Sequence, residues 1–487
     1  MQCINAGVFL FWMRIAKRLQ KKQLKVLFML IYQHDKIDFS AEYGYIIKSP
    51  DFRLILTILY PFIIGAAMKT TAVRLYGKRD LRLETFELPE LSDDAILAQI
   101  VSDSVCMSTY KTVEQGAEHK RVPDNVAENP VIIGHELCGV ILQVGKKWAD
   151  QYKCGDKFAV QPVIDQTINY DTIGYSFGTV GGDSELVMIP NNIIEKGCIL
   201  PYTGDAYFKG SLAEPMSCII GGFRAFYHSG VEEYTHTMGI VENGNLAIIG
   251  GTGPMGLGAI DYALNAARKP GCLVVTDINP ERLARAEKIF PVEDAAKKGI
   301  KLAFVNTASG DAFKTLMDLS GGKGFDDVLC MAPVESAVEF ADKLLAKDGC
   351  LNFFAGPMDK NFSAQFNFYN VHYASTHVTG TSGGTVQDLK IALQLMEQNL
   401  IHPEVMITHI GGLDAAIETT MNLPKIPGGK KIIYPGIRLP LTAIADFGKY
   451  PNDPLFSKLN DCCEANGGLW NLEAEQILLK HFGLLKN

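Results

Sequence analysis

The sequence lacks the excess of basic residues that nucleic-acid-binding proteins use to collect phosphates. Its 46 lysines and arginines are outnumbered by 54 aspartates and glutamates, which gives a net charge of -8 at pH 7. Nonspecific binding to nucleic acid is driven mainly by cationic side chains, so this balance argues against a nucleic-acid partner. Internal repeats and low-complexity tracts are missing as well. A composition that is 47% hydrophobic and 21% charged indicates an ordinary globular chain.

The first 67 residues lack a complete membrane anchor or targeting signal. Their apolar run, Leu54–Ala67, is interrupted by Pro61, and it falls short of the roughly 18 consecutive apolar residues that a membrane-spanning helix needs. The basic stretch Lys17–Lys25 lies far from that run, unlike the adjoining charged and apolar regions of a secretory signal. We predict no membrane association and interpret Met68 as the natural start, with residues 1–67 an over-extended reading frame or a dispensable extension. A membrane tether is the alternative.

Signs of a disulfide framework are also missing. The 11 cysteines are scattered, odd in number and preceded by no secretory signal. We therefore predict reduced thiols and a cytoplasmic location. The adjacent Cys462 and Cys463 suggest no chemical role, and we expect free thiols near a surface helix there. Reduced cysteines leave thiolates that can hold a metal ion.

Two different patterns of hydrophobic residues follow residues 1–67. Up to about Thr235, short valine and isoleucine runs broken by glycine predict strands of a compact β-rich domain. From Asn245 onward, apolar strand, glycine turn and amphipathic helix alternate, which is typical of a doubly wound parallel sheet. One helix is predicted over Glu281–Ile289, capped by Asn279 and led by Pro280. The predicted strands of this sheet are Leu246–Ile249, Cys272–Asp277, Leu302–Asn306, Asp327–Met331 and Cys350–Phe354.

A glycine-rich loop stands between the first of these strands and the helix after it. Gly251, Gly253 and Gly256 have the G-x-G-x-x-G spacing of a dinucleotide-binding loop. The first glycine permits the tight turn, the second lets backbone amides approach a pyrophosphate, and the third lets the helix pack close to the strand. Pro254 and Met255 complete the loop. A glycine-rich turn in an unrelated α/β protein is the alternative.

An acidic residue ends the second strand, where such folds bind the adenine ribose. Asp277 is placed to accept hydrogen bonds from the ribose diol. It favours NAD(H), because a 2′-phosphate beside a carboxylate would be repelled. Arg282 follows closely and keeps NADP(H) possible.

Upstream of this loop, three side-chain types suit a zinc ion. Cys106, His135 and Glu214 offer thiolate, imidazole and carboxylate ligands, and three protein ligands leave the open position that a catalytic zinc requires. The residues are widely separated in sequence, and a lone cysteine is often a small core residue. Spacing alone leaves both interpretations open.

The run Gly134–Gly145, G-H-E-x-x-G-x-x-x-x-x-G, resembles the zinc signature of the medium-chain alcohol dehydrogenases. Its order relative to Cys106 and the glycine loop also matches that family, and the likeness extends from Met68 to about Tyr434. Segments such as SLAEPMSCIIGGF, CLNFFAGP and NFYNVHYASTHVTGTSGG look like the L-sorbose 1-phosphate reductase branch. The chain departs from this family pattern at Trp148, a position where the zinc signature ends in a small residue.

The resemblance implies a set of zinc-site residues. Cys106 and His135 would bind one catalytic zinc, with Glu214 as the third ligand, and Glu136 would be a neighbouring carboxylate able to approach the metal. Ser108 matches the family's relay hydroxyl, and a helix-capping serine is the alternative. Many alcohol dehydrogenases hold a second, structural zinc in a lobe with four cysteines. Residues 158–201 contain a single cysteine, so we predict no structural zinc.

The resemblance also implies the architecture. We predict an α/β fold with a Rossmann cofactor domain over residues 241–386 and a β-rich GroES-like catalytic domain over residues 68–240. Residues 387–487 would return to the catalytic domain and end in a tail. Phe354 and Gly356, at the end of the fifth strand, would border the nicotinamide; an ordinary strand exit is the alternative. We further expect a homo-oligomer.

The implied activity is hydride transfer between NAD(P)(H) and a ketose or polyol phosphate, with zinc as Lewis acid. Lys120 and Arg121 lie between the two metal-ligand segments and could pair with a substrate phosphate, although a solvated basic turn is the plain interpretation. A dehydrogenase of an unphosphorylated polyol or secondary alcohol is the alternative function. A zinc-free quinone or enone reductase and a non-catalytic nucleotide-binding protein are the remaining ones.

Overall fold

The computed structural model describes residues 68–164, 171–229 and 234–485. The predictions for residues 1–67 lie outside this part of the chain. The helices are α1 (Met107–Gln115), α2 (Asn191–Glu195), α3 (Tyr207–Ser211), α4 (Ala213–Ala225), α5 (Pro254–Asn265), α6 (Pro280–Ile289), α7 (Val292–Lys297), α8 (Ala312–Leu319), α9 (Glu335–Leu344), α10 (Phe368–Tyr373), α11 (Val386–Glu397), α12 (Ala416–Asn422), α13 (Pro454–Ala465) and α14 (Leu472–His481).

The strands fall into four sheets. They are β1 (Lys69–Gly77), β2 (Asp80–Glu87), β3 (Ile96–Ser104), β4 (Val131–Ile132), β5 (Leu137–Val144), β6 (Lys157–Val160), β7 (Leu186–Ile189), β8 (Ile199–Tyr202), β9 (Tyr227–Ser229), β10 (His236–Met238), β11 (Asn245–Ile249), β12 (Cys272–Asp277), β13 (Lys301–Asn306), β14 (Phe325–Cys330), β15 (Leu345–Phe353), β16 (His377–Gly380), β17 (Ile407–Gly412), β18 (Lys430–Tyr434) and β19 (Thr442–Ala443).

The second half of the chain forms a parallel six-stranded sheet in the order β13-β12-β11-β14-β15-β16. The order reverses at β11, as it does in a doubly wound fold, and helices connect the strands. The predicted fold class is therefore confirmed. All five predicted strands are present. The strand β15 starts earlier than predicted, at Leu345, because this residue pairs with Phe325 before an irregularity in the register.

The helix predicted over residues 281–289 is α6. The side chain of Asn279 accepts a hydrogen bond from the backbone N–H of Arg282, and Pro280 is the first helical residue. The cap therefore satisfies one of the amides that a helix start leaves without a partner.

The first half is built of short strands around a larger mixed sheet. Its central strand, β3, pairs antiparallel with β5, β7 and β18, and β5 continues through β6 to β8. Because β18 lies far along the chain, the return from the dinucleotide-binding part completes this sheet. The β3–β5 pairing brings together the chain segments that carry Cys106, His135 and Glu136.

The segment after Tyr434 is folded against the rest of the molecule. Trp470 has no exposed surface, and the hydrophobic faces of α13 and α14 join the largest core cluster. Cys462 and Cys463 are free thiols, as expected, and both are buried on the inner face of α13, whose other face carries exposed residues. The apolar face of α13 needs small hydrophobic residues there, and cysteine serves as one. Within the described ranges, every helix is too short or too polar to span a bilayer.

Candidate zinc and cofactor site

Backbone pairing places Cys106 beside His135 and Glu136. Cys106 follows β3 and is the N-cap residue of α1, whereas His135 and Glu136 immediately precede β5. The backbone N–H of Ser104 donates to the carbonyl of Glu136 over 3.0 Å. The antiparallel register therefore joins segments that are distant in sequence.

Cys106, His135 and Glu136 form a compact donor set. One possible ligand atom from each lies within 4.8 Å of the others, and no other such group of three occurs among the described residues. Ser108 Oγ lies 2.9 Å from Cys106 Sγ and 3.4 Å from His135 Nε2. Thr109 Oγ1 lies 3.2 Å from His135 Nδ1 and fixes the other side of the ring. Ser108 is the second residue of α1, so it does not cap the helix.

Glu214 lies close by but outside this set. It stands in the first turn of α4, and its Oε1 accepts a hydrogen bond from Cys218 Sγ over 3.5 Å. Burial raises the pKa of Glu214 to about 7, and the negative charge of Glu136 adds to that rise. The sequence predicted Glu214 as the third ligand and Glu136 as a neighbour. The structure brings Glu136 within ligand distance of the other two residues and places Glu214 next to them.

The donor set has the chemistry of a cation site. Burial raises the pKa of the Cys106 thiol to about 12, with Glu136 contributing, and burial lowers the pKa of His135 to about 4. The imidazole is therefore neutral and able to ligate, while a thiolate in this buried place needs a positive charge beside it. Zinc accepts sulfur, nitrogen and carboxylate oxygen together. The residues present thus fit a zinc ion.

A buried ion pair with Lys430 supports Glu136. The ammonium of Lys430 donates to both carboxylate oxygens, over 2.5 and 2.6 Å, and the side chains are 5% and 1% exposed. Lys430 begins β18, the strand that pairs with β3. The ion pair therefore holds the Glu136 carboxylate in one orientation beside Cys106 and His135.

The glycine loop has the close packing that a dinucleotide requires. A side chain on Gly256 would meet the backbone of Gly251, whereas the space around Gly253 is open. Pro254 and Met255 begin α5 directly behind the loop. The helix N-terminus and the open space at Gly253 leave room for a pyrophosphate.

Asp277 lies at the end of β12 next to this loop. Its carboxylate accepts hydrogen bonds from the Thr252 hydroxyl and from the backbone N–H of Asn279. These contacts orient the carboxylate at the carboxyl edge of the sheet, where a ribose would lie. Arg282 is exposed on the first turn of α6.

The loop after β15 joins the cofactor side to the donor set. Phe354 packs toward Gly222 of α4, and its backbone N–H donates to Cys330 O over 3.0 Å. The carbonyl of Gly356 accepts a hydrogen bond from Lys111 Nζ over 2.5 Å. Lys111 lies one turn beyond Ser108 on α1, so this contact links the two halves of the candidate site.

An aromatic and cationic cluster borders the donor set on another side. Tyr175 is fully buried and lies with its ring centroid 5.0 Å from that of His135 and 5.5 Å from that of His119. The guanidinium of Arg121 lies 5.5 Å from the Tyr175 centroid. Arg121 Nε is buried and has no hydrogen-bond partner in the described part of the protein. Lys120 is exposed.

Sequence reasoning missed Lys430, Lys111 and Tyr175. Lys430 occurs in the segment GGKKIIYP, where two lysines after two glycines are typical of an exposed turn. Lys111 follows Ser108 by three residues on α1, and this spacing could have suggested a place on the same face. Tyr175 gave no signal, because its contacts arise only when the loop around it folds onto His135.

Comparisons with known proteins agree with this geometry. Residues 92–198 match the alcohol dehydrogenase GroES-like domain, and residues 254–398 match the zinc-binding dehydrogenase domain. The mannitol-1-phosphate 5-dehydrogenase of Aliivibrio fischeri is 51% identical over 85% of this chain and 98% of its own length. The chain belongs to the zinc-binding alcohol dehydrogenases. The resemblance seen in the sequence is confirmed, and this dehydrogenase is an oxidoreductase of the type that uses zinc and NAD(P)(H).

A second relative and two solved structures complete the comparison. The L-sorbose 1-phosphate reductase of Klebsiella pneumoniae is 49% identical over 85% of this dehydrogenase and 98% of its own length. The solved 2R,3R-butanediol dehydrogenase of Bacillus subtilis is 21% identical, covers 75% of this chain and 99% of its own, and has a TM-score of 0.60. An NADP-bound zinc-binding dehydrogenase of Sinorhizobium meliloti, at 19% identity with the same coverage, has a TM-score of 0.61. These two likenesses show the fold.

Proposed function

We propose that this dehydrogenase transfers a hydride between NAD(P)(H) and a ketose or polyol phosphate, reducing L-sorbose 1-phosphate to D-glucitol 6-phosphate. Two relatives at about 50% identity are named for sugar-alcohol or ketose phosphates. A dehydrogenase of an unphosphorylated polyol is the second candidate, because sorbitol dehydrogenases match at 27% identity over 44% of the chain.

The observation that carries the phosphate proposal is the position of Arg121. The guanidinium stacks on Tyr175, which in turn packs on His135, so its charge lies beside the donor set. Its buried Nε has no hydrogen-bond partner among the residues that the structure describes, and a buried donor of this kind calls for an acceptor oxygen. A phosphate oxygen supplies one, in the charge-assisted geometry that arginine favours.

The side chains divide the work of the reaction. Zinc, when bound, supplies Lewis acidity, and the nicotinamide supplies or accepts the hydride. We propose that Cys106, His135 and a carboxylate hold the metal, with Glu136 kept in place by Lys430. The Ser108 hydroxyl lies within reach of the site and would hold the proton exchanged with the substrate oxygen. Tyr175 closes one side against water.

Substituting Arg121 by alanine tests the phosphate contact. We expect the KM for sorbose 1-phosphate to rise about tenfold or more while kcat changes little, because the contact holds ground and transition states alike. Lys120→Ala should have a smaller effect, since its side chain is exposed. The measurement is steady-state kinetics with sorbose 1-phosphate and with free sorbose.

Two outcomes separate the substrate from the site. Equal use of phosphorylated and free sorbose by the unmodified enzyme contradicts the phosphate substrate. An unchanged KM in both variants contradicts only the assignment of the phosphate-binding residues. The same assay with mannitol 1-phosphate shows which substrate the enzyme prefers, that of the mannitol-1-phosphate 5-dehydrogenase or that of the L-sorbose 1-phosphate reductase.

The cofactor preference is a separate prediction. We expect NAD(H) to be used at least as well as NADP(H), because Asp277 is oriented at the carboxyl edge where a ribose hydroxyl would lie. The measurement is kcat/KM with each reduced cofactor at saturating ketose. If kcat/KM were more than about tenfold higher with NADPH, a difference of about 1.4 kcal/mol, attraction of the 2′-phosphate by Arg282 would exceed its repulsion by Asp277.

We also propose a catalytic domain over residues 68–240 and a cofactor domain over residues 241–386, with a C-terminal return to the former. A homo-oligomer in the cytoplasm is proposed as the working state of the enzyme. The cysteines that the structure describes are free thiols.

A further inference from the structure

The C-terminal tail, residues 435–485, carries a buried carboxylate that the reaction does not use. Glu475 lies on α14 and is 1% exposed. Burial raises the pKa of Glu475 to about 7, whereas its hydrogen-bond donors lower it. A carboxylate in such a place needs a structural reason, because its desolvation is costly.

Glu475 binds the start of α3. Its Oε2 accepts from the backbone N–H of Tyr207 over 2.7 Å, and its Oε1 accepts from the backbone N–H of Phe208 over 2.8 Å. The Tyr434 hydroxyl donates to Oε1 over 2.9 Å and accepts from Trp470 Nε1 over 2.9 Å. The carboxylate thus satisfies two helix-start amides that α3 itself leaves without partners.

Helix α3 in turn leads directly to Glu214. Helical hydrogen bonds continue through Leu212, which donates to Phe208 O and accepts from Met216 N over 3.0 and 3.1 Å. Glu214 stands in the first turn of α4, immediately beyond. A shift or rotation at the start of α3 therefore moves the Glu214 carboxylate.

The same helix is wedged against the strands that bear the other donors. It contacts both β3 and β5, and Gly210 packs so closely on Cys138 that a side chain there would collide with the Cys138 thiol. Cys138 is the second residue of β5, which follows Glu136 directly. One short helix thus lies between the tail and every segment of the donor set.

We propose that Glu475 is a positioning residue of the zinc site: the tail fixes α3 through this carboxylate, and α3 fixes Glu214 against Cys106, His135 and Glu136. This inference rests on the proposed role of these residues at the metal. It assigns the tail a part in catalysis that acts through α3.

The variant Glu475→Gln tests the proposal in the zinc-loaded enzyme. The amide keeps the shape but replaces one acceptor oxygen by a donor, which opposes the Tyr207 N–H. We expect zinc affinity, measured by competition with a chromogenic chelator, to fall about tenfold or more, and kcat to fall with it. NADH binding, followed by fluorescence, should change less than twofold, because the glycine loop is not contacted.

Tyr434→Phe is the matched control. It removes two side-chain hydrogen bonds from the same buried network and leaves both backbone contacts of Glu475. We expect this variant to lose thermal stability but to retain zinc affinity and kcat. If the two variants lose the same melting temperature and the same zinc affinity, Glu475 contributes only to stability, and the proposal is overturned.

A measurement on the unmodified enzyme avoids any failure of the variants to fold. Coupling between the metal and the tail is reciprocal. Removing zinc should therefore speed hydrogen exchange in residues 207–216 and 472–481, and leave α6 unchanged. Unchanged exchange in α14 overturns the proposal. Unchanged zinc affinity in Glu214→Gln overturns it too, because α3 acts on the metal through Glu214. The phosphate assays test the proposed substrate independently of both results.

Discussion

Cys106→Ser is expected to remove the bound zinc and to lower kcat/KM by about 1,000-fold or more, a loss of about 4 kcal/mol of transition-state stabilisation. Serine keeps the size of the side chain but loses the thiolate, which is the soft ligand in the donor set. The Cys106 thiol also lies 2.9 Å from Ser108 Oγ, so the candidate relay hydroxyl loses its neighbour. Elemental analysis after dialysis and steady-state kinetics measure the two effects.

Cys198→Ser is the control for this experiment. Cys198 is the single cysteine of residues 158–201, where we predict no structural zinc, and it is buried. We expect the unmodified enzyme and this variant both to retain about one zinc per chain. Two zinc ions per chain in the unmodified enzyme would contradict the single site, and full activity of Cys106→Ser would contradict its assignment.

Lys430→Met is expected to destabilise the metal-free protein by about 3–5 kcal/mol, because it leaves the Glu136 carboxylate buried without its partner. Both side chains are almost fully buried, and the ammonium contacts both carboxylate oxygens. Methionine retains most of the length and the apolar stem, so the loss reports chiefly on the charge. Urea unfolding after zinc removal measures the effect.

The double variant Lys430→Met with Glu136→Gln is the matched control. Removing both charges eliminates the uncompensated carboxylate. We therefore expect the double variant to recover most of the unfolding free energy that Lys430→Met loses. A double variant as unstable as Lys430→Met alone would mean that the lysine acts through packing. Zinc affinity, measured on both, separates the role of Glu136 at the metal from its role in folding.

Much of the dinucleotide-binding part could be predicted because its signals are local. The strand–glycine loop–helix sequence around Gly251, the acid Asp277 at the end of β12 and the Asn279 cap of α6 each depend on neighbours a few residues away. The early start of β15 was missed because Leu345 gains its strand pairing from Phe325, which sequence periodicity does not show.

The donor set was predictable only in part. Cys106, His135 and the two glutamates were recognised by residue type and by resemblance to a family. Which glutamate lies within ligand distance depends on backbone register, and the register places Glu136 there with Glu214 alongside. Arg121 was a candidate because of its charge and its place between the two metal-ligand segments, whereas its stacking on Tyr175 arises from the fold of the loop.

By itself, the sequence determined the doubly wound sheet, the nucleotide loop and the residue types of a zinc site, because periodicity, glycine spacing and donor chemistry are properties of short segments. Tertiary structure alone decided that Lys430 pairs with Glu136, that Lys111 reaches Gly356 and that Glu475 caps α3. Each of these contacts joins residues more than 200 positions apart. Such partners are chosen by the packing of whole sheets and helices, which fixes where a buried charge must find its counterpart.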